Sequence, residues 1–171
     1  DDIYVSSDSN EILTIAQQNG ANGLIRDKSL CANNIKNYDV LCHHFKELRH
    51  SNKEPDIIAL IQPTTPFRLS NDLTFMIKKL EADIEADSLI TVKKSKRARG
   101  IIKGKYWVNN IASSNDKSQN LQSKDEYEAT GHLVLLRPKN TLGKGSLLGK
   151  NIIAENLPFN WPDIDIDTRK D

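Results

Sequence analysis

The sequence predicts an α/β protein built on a mainly parallel sheet, and three observations point there. Short β-branched runs alternate with amphipathic helical stretches along most of the chain. One run, Ile57 to Ile61, is short and unbroken, as in a strand buried on both faces. The chain then turns polar in Gln62-Pro-Thr-Thr-Pro-Phe-Arg68, where Pro63 and Pro66 stop both strand pairing and helix formation. Ligands of open α/β sheets bind just past the carboxyl ends of strands. The loop therefore reads either as an ordinary strand-to-helix connection or as the wall of a site.

The elements follow in order. Ile3-Tyr-Val-Ser6 reads as a strand, and Asp8 or Ser9 caps a helix carrying Ile12, Ile15 and Ala16 on one side, with Gly20 as its stop. Asp8 stands past a strand end, where it is either an N-cap or a ligand contact. Leu24-Ile25-Arg26 reads as a short strand. Asp39 to His50 is amphipathic, with Leu41, Phe45 and Leu48 inward. His43 and His44 are adjacent on that helix, point in different directions, and are not expected to chelate one ion together; both read as structural or surface residues. Ser70 or Asn71 caps the next helix, whose apolar stripe is Leu73, Met76, Ile77, Leu80 and Ile84. Ser88 to Val92 is a strand, Thr130 to Leu136 another, and Asn151 to Glu155 the last, while Leu142 to Leu148 is too glycine-rich to assign.

At 171 residues the chain reads as one domain, 1–171, with enough mass for a real core. A net charge of +1 implies no strong field for nucleic acid or an anionic membrane. The basic cluster Lys93, Lys94, Lys96, Arg97 and Arg99 reads as a solvated loop. No apolar segment approaches the roughly 20 residues of a membrane span, and no signal peptide is visible. Cys31 and Cys42 form neither a disulfide framework nor a metal spacing, as in a reduced, cytoplasmic protein.

The C-terminal stretch Trp161-Pro-Asp-Ile-Asp-Ile-Asp-Thr168 alternates strictly, which places its isoleucines on one face and Asp163, Asp165 and Asp167 on the other. Carboxylates sharing a face call for a positive partner. Mg²⁺ takes one or two carboxylates together with substrate phosphates. A calcium loop does not fit, because Thr168 stands where such a loop needs glycine. An acidic edge strand is the plain structural alternative.

Four motifs in this order resemble the acylneuraminate cytidylyltransferases, the CMP-sialic acid synthetases and their relatives acting on other nonulosonic acids. Tyr4-Val-Ser-Ser-Asp-Ser9 resembles that family's Tyr-Val-Ser-Thr-Asp-Ser, and Gln62 to Arg68 its Gln-Pro-Thr-Ser-Pro-Leu-Arg. Glu85 to Val92 resembles its Ala-Asp-Ser strand, and Ile164 to Thr168 its Ile-Asp-Ile-Asp-Thr. The resemblance implies a three-layer α/β/α nucleotide-diphospho-sugar transferase fold, Rossmann-like. It also implies a Mg²⁺-dependent transfer from CTP to a 2-keto-3-deoxy sugar acid, giving a CMP-sugar and pyrophosphate. By that likeness Asp165 and Asp167 hold Mg²⁺ and, with Arg68, serve catalysis. Gln62, Thr64, Thr65, Arg68 and Gly131 bind the sugar acid, and Arg26, Asn37 and Asp8 lie on the nucleotide side.

The likeness further implies a homodimer, with residues 93–128 forming a small extension that packs on the second subunit, for which Tyr106 and Trp107 would serve. Departures are also visible. The family's Leu-Ala-x-Asp-x-Ala-x-Ser is here Leu30 to Asn37, with Asn33 for the acid and Asn37 for the serine; its Arg-Arg-Gln is Asn120-Leu-Gln122; and its Asn-Gly is Thr130-Gly131. These changes leave GTP in place of CTP, and a legionaminic, pseudaminic or Kdo-like acid, open as alternatives. Nothing matches the family's triphosphate loop, Arg-Gly-Gly-Ser-Lys, so the likeness implies an N-terminally truncated chain of weak activity. A non-catalytic nucleotide- or sugar-binding domain is the reading of another class.

Overall fold

The structure, a computed structural model, describes residues 2–32, 34–94, 100–109, 127–156 and 164–168. Within the single predicted domain it delineates two compact units, 1–55 and 56–171.

The first unit is β1 (Tyr4–Ser7), α1 (Asn10–Gln18), β2 (Asn22–Ile25) and α2 (Asn37–His50), with one 3₁₀ turn at Lys28–Leu30. β1 and β2 pair in parallel, Tyr4 opposite Asn22 and Ser7 opposite Ile25, so α1 is the crossover between them. Ser9, not Asp8, caps α1, its Oγ accepting from the Ile12 amide. The predicted apolar side of α1 is wrong: Ile12 and Ile15 are 50% and 53% exposed, and Leu13 is the buried residue. Gly23 explains the choice. A Cβ there would lie 3.4 Å from the Cβ of Leu13, so the bare glycine in β2 is where the helix comes down. α2 starts two residues before its predicted Asp39 and buries Phe45, with Leu41 and Leu48 half-buried.

The second unit holds β3 (Ile58–Leu60), α3 (Ser70–Ala82), β4 (Ser88–Lys94), β5 (Gly100–Lys103), β6 (Tyr106–Asn109), β7 (Tyr127–Leu136) and β8 (Ile152–Asn156). Its sheet runs in the order β3-β7-β4-β8-β6-β5. β3, β4 and β8 share one direction, but β7 lies antiparallel between β3 and β4, and β6 lies antiparallel to β8. The expected mainly parallel sheet is thus a mixed one. Antiparallel neighbours need no crossover helix between them, whereas parallel ones do.

The strand buried on both faces is β4 rather than β3. Ser88 to Val92 are all buried, whereas Ile58 and Leu60 are half-buried and Ala59 is exposed. Leu89 faces a core of Met76, Leu80, Ala86, Leu133, Leu135 and Ile153, while Ile90 and Val92 face a second cluster with Ile152. The 3.6-residue stripe of α3 is Leu73, Met76, Ile77 and Leu80, as predicted; Ile84 lies beyond the helix and is 81% exposed. The N-cap position of α3 is Leu69, without a side-chain cap. At the other end Arg137 donates to the Leu80 carbonyl in the last turn (2.7 Å) and to the Ala86 carbonyl past the helix (3.2 Å), tying the helix end to the turn that follows it.

Within the expected 93–128 extension, the described part is a β5–β6 hairpin turning at Gly104, whose φ is +61°. Tyr106 pairs with Ile153 of β8, and Lys105 Nζ lies 2.6 Å from an Asp83 carboxylate oxygen. The side chain of Trp107 and residues 110–126, with Asn120 and Gln122, lie outside the described residues, as do Asn33, Asp163 and the arginines at 97 and 99.

Candidate functional site

In the second unit, β3 ends at Leu60 and the polar loop begins where the sequence places it. Arg68 organises this loop. Its Nε donates to the His132 carbonyl at 3.0 Å, and its Nη2 donates to the same carbonyl (2.8 Å), to the Gln62 carbonyl (2.9 Å) and to Thr65 Oγ1 (2.6 Å). Thr65 is 2% exposed and hydrogen-bonds back to the Gln62 carbonyl through both its amide and its hydroxyl. Thr65 is thus an internal brace. Partial burial of the guanidinium pushes its pKa down, yet an arginine this far from neutrality keeps its charge. Nη1 takes no part in these bonds.

The carbonyl that anchors Arg68 belongs to an irregular stretch of β7. Ile90 pairs with Val134 and Val92 with Ala129, so Thr130 to Leu133 stand opposite Thr91 alone. Gly131 supplies the turn with φ +74°, and a Cβ there would meet nothing within 4 Å. Thr91 fills the bulge: its Oγ1 lies 2.8 Å from Thr130 Oγ1 and accepts from the Leu133 amide at 3.2 Å. Such a bulge re-aims the backbone beside a site.

The C-terminal motif comes to the same loop. The Ile166 amide donates to the Thr64 carbonyl at 2.8 Å. Residues 164–168 join no strand ladder, and all are exposed, so the stretch is a docked extended segment rather than the alternative edge strand. Asp165 and Asp167 flank the bonded Ile166, and Gln62 and Thr64 are half-buried in the loop beneath.

In the first unit, Asp8 and Arg26 line one cavity of about 580 Å³ together with Ile25, Asp27, Lys28, Cys31, His43 and Glu47. Asn37 is exposed on the first turn of α2 and is not among the residues lining it. Arg26 is tied to β1, donating through Nε to Ser6 Oγ (3.2 Å) and through Nη2 to the Ser6 carbonyl (2.9 Å). Ser6 Oγ is 2.7 Å from His44 Nε2, and His44 Nδ1 is 3.0 Å from a Glu47 oxygen. The other Glu47 oxygen is 3.4 Å from His43 Nε2. The two histidines share Glu47 as a partner. They do diverge, but Glu47 one turn on lies between them, and the donor atoms of all three fall within 4.8 Å of one another. Burial, with the nearby charge of Asp8, raises the Cys31 thiol above its ordinary pKa, and the Ser29 hydrogen bonds lower the Asp27 carboxyl.

Set against known proteins, the chain is 23% identical over 171 residues to N-acylneuraminate cytidylyltransferase of Escherichia coli O18:K1:H7, which covers 99% of the chain and 40% of that relative. The chain resembles the cytidylyltransferases. It spans less than half the length of that relative, and no family model matches it. Two solved nucleotidyltransferases share its fold. CMP:2-keto-3-deoxy-manno-octonic acid synthetase, complexed with CTP, superposes with a TM-score of 0.65 at 12% identity, over 92% of this chain and 72% of that one. The 4-diphosphocytidyl-2C-methyl-D-erythritol synthase of Anaerococcus prevotii superposes with a TM-score of 0.62 at 15% identity, over 99% and 74%. The nucleotidyltransferase fold implied by the four motifs is the fold observed.

Seen as a cytidylyltransferase-like chain, the predicted residues group by unit. Gln62, Thr64, Thr65, Arg68, Gly131, Asp165 and Asp167 are on the second; Asp8, Arg26 and Asn37 are on the first. Sequence reasoning did not join Ser6 and Glu47 to His44, nor Arg68 to the His132 carbonyl. Ser6 and His44 are 38 residues apart, and no spacing rule joins a strand serine to a helix histidine. Glu47, at i+4 and i+3 from the two histidines, was legible from helical period alone.

Among the described residues, no helix is long and apolar enough to cross a membrane.

Proposed function

We propose that this chain is part of a cytidylyltransferase that transfers CMP from CTP to a 2-keto-3-deoxy sugar acid, with release of pyrophosphate. The observation that carries the reading is the Ile166–Thr64 hydrogen bond at 2.8 Å. It sets the two carboxylates of the C-terminal motif on the loop that the sugar acid would occupy.

The donor set suits Mg²⁺. Asp165 and Asp167 are exposed hard-oxygen ligands on a segment pinned between them, which leaves room for the waters and phosphate oxygens that Mg²⁺ keeps. When bound, the ion supplies charge neutralisation at the phosphate under attack. The protein supplies alignment, which is most of what phosphoryl-type transfer asks of it. Arg68 holds the loop through Nε and Nη2 and presents Nη1 to the sugar carboxylate, while Gln62 and Thr64 fix the sugar's hydroxyls. Gly131 keeps the backbone open beside them. By the likeness to the family, Arg26, Asp8 and Asn37 would contact the nucleotide. The protein functions as a homodimer in the cytoplasm, by the likeness of its sequence to the family.

The test is pyrophosphate release by the full natural polypeptide containing these residues, given Mg²⁺, CTP or GTP, and a panel of nonulosonic acids. Release that requires CTP, one acid and Asp167, lost in Asp167→Ala, is expected. GTP-dependent release would reassign the nucleotide. No release from a folded protein with any pair would overturn the transferase reading.

A further inference from the structure

We propose that His43, His44 and Glu47 form a binding site for a divalent transition metal, separate from the carboxylate pair of the C-terminal motif. In a tetrahedral site with bonds of about 2.0–2.2 Å, neighbouring donor atoms lie about 3.3–3.6 Å apart. His43 Nε2 lies 3.4 Å from one Glu47 oxygen and His44 Nδ1 lies 3.0 Å from the other, and one donor atom from each of the three residues lies within 4.8 Å of the others, so small side-chain shifts bring the set to that spacing. All three donors sit on one helix within a turn of each other, which makes the spacing a property of α2 itself.

The surroundings supply what a metal-bound histidine needs. A ligating imidazole donates its other ring N–H to an acceptor that fixes its tautomer and aim. His44, with its side chain 8% exposed, has Nε2 at 2.7 Å from Ser6 Oγ, and that oxygen is itself held by the Arg26 Nε–H. With metal on Nδ1, Nε2 carries the proton and donates to Ser6. Without it, Nδ1–H donates to Glu47 and Nε2 accepts the serine proton. Both states leave the buried ring satisfied. His43 and Glu47 are more open and line the 580 Å³ cavity, so the fourth position faces space for water or an anionic ligand.

The charges around that cavity are Asp8, Asp27 and Glu47 against Arg26 and Lys28, which offsets part of the charge a dication brings. Two imidazoles and one carboxylate favour Zn²⁺, Ni²⁺ or Cu²⁺ over Mg²⁺, which prefers an all-oxygen shell.

Equilibrium dialysis of the whole chain against Zn²⁺, with a Cys31→Ser/Cys42→Ser background to remove thiol binding, tests the site. One Zn²⁺ per chain is expected, not displaced by excess Mg²⁺, and Co²⁺ in its place should show the visible absorption of a tetrahedral ion. His43→Ala and Glu47→Gln, both at open positions, should keep the fold by circular dichroism yet lower the affinity more than 10-fold, and Ser6→Ala should lower it about 10-fold through His44. Zn²⁺ should raise the melting temperature of the parent and not of His43→Ala. Absence of stoichiometric binding, or binding that survives both His43→Ala and Glu47→Gln, would refute the site.

Discussion

Replacing Arg68 by alanine tests a bracing job that the structure adds to the ligand role the sequence implies. The side chain serves three acceptors, and they do not lose equally. The His132 carbonyl receives both Nε and Nη2, and His132 is 1% exposed. Losing a charge-assisted bond to such a group costs about 1.5–3 kcal/mol. The Gln62 carbonyl keeps the bonds from the Thr65 amide and hydroxyl, and Thr65 Oγ1 keeps its own donated bond. Those two losses add about 0.5–1 kcal/mol. The sum is roughly 2–4 kcal/mol of destabilisation, a large share of a typical domain's margin. Arg68→Lys should recover less than half, because a single ammonium cannot bridge β7 and the loop as the planar fork does. Guanidinium denaturation by circular dichroism measures the total, and amide exchange at Thr130 to Leu133 should rise in step if the bulge loosens. A loss below about 0.5 kcal/mol, with unchanged exchange, would refute the bracing role and leave Arg68 as a residue kept for its ligand alone.

Two further outcomes follow from the same geometry. Gly149→Ala should cost roughly 2–4 kcal/mol, since φ is +76° and the new Cβ would stand 2.5 Å from Asp87 Cβ, whereas Gly20→Ala at φ +81° in open space should cost about 1 kcal/mol; paired denaturation curves check the contrast. Asp83 has its pKa lowered first by the Lys105 hydrogen bond, so the contact is at full strength above the ordinary carboxylate pKa of about 4 and is lost as pH falls through the lower folded value. Amide protection factors in β6, corrected for the intrinsic pH dependence of exchange, should fall over that acid window, and Lys105→Gln should remove the dependence.

Periodicity and turn chemistry alone reached a good part of this molecule. The α3 stripe of Met76, Ile77 and Leu80, the stop at Gly20 and the polar loop after β3 all follow from local rules, because each is set by neighbours within a turn or a strand. The four motifs pointed to the nucleotidyltransferase fold before any coordinates. What only the tertiary structure decided is of longer range. β7 enters antiparallel between β3 and β4, and this makes β4 rather than β3 the strand buried on both faces. Leu13 displaces Ile12 and Ile15 from the buried side of α1 because the bare Gly23 in β2 is where that helix comes down. Arg68 reaches a carbonyl 64 residues away, and Ile166 meets Thr64 across about a hundred residues of chain. Ser6, at 2.7 Å from Nε2, fixes the orientation of the His44 ring. Side-chain patterns record which faces are apolar, but a hydrogen bond between distant segments depends on where the sheet order brings the backbone, and no local pattern encodes that order.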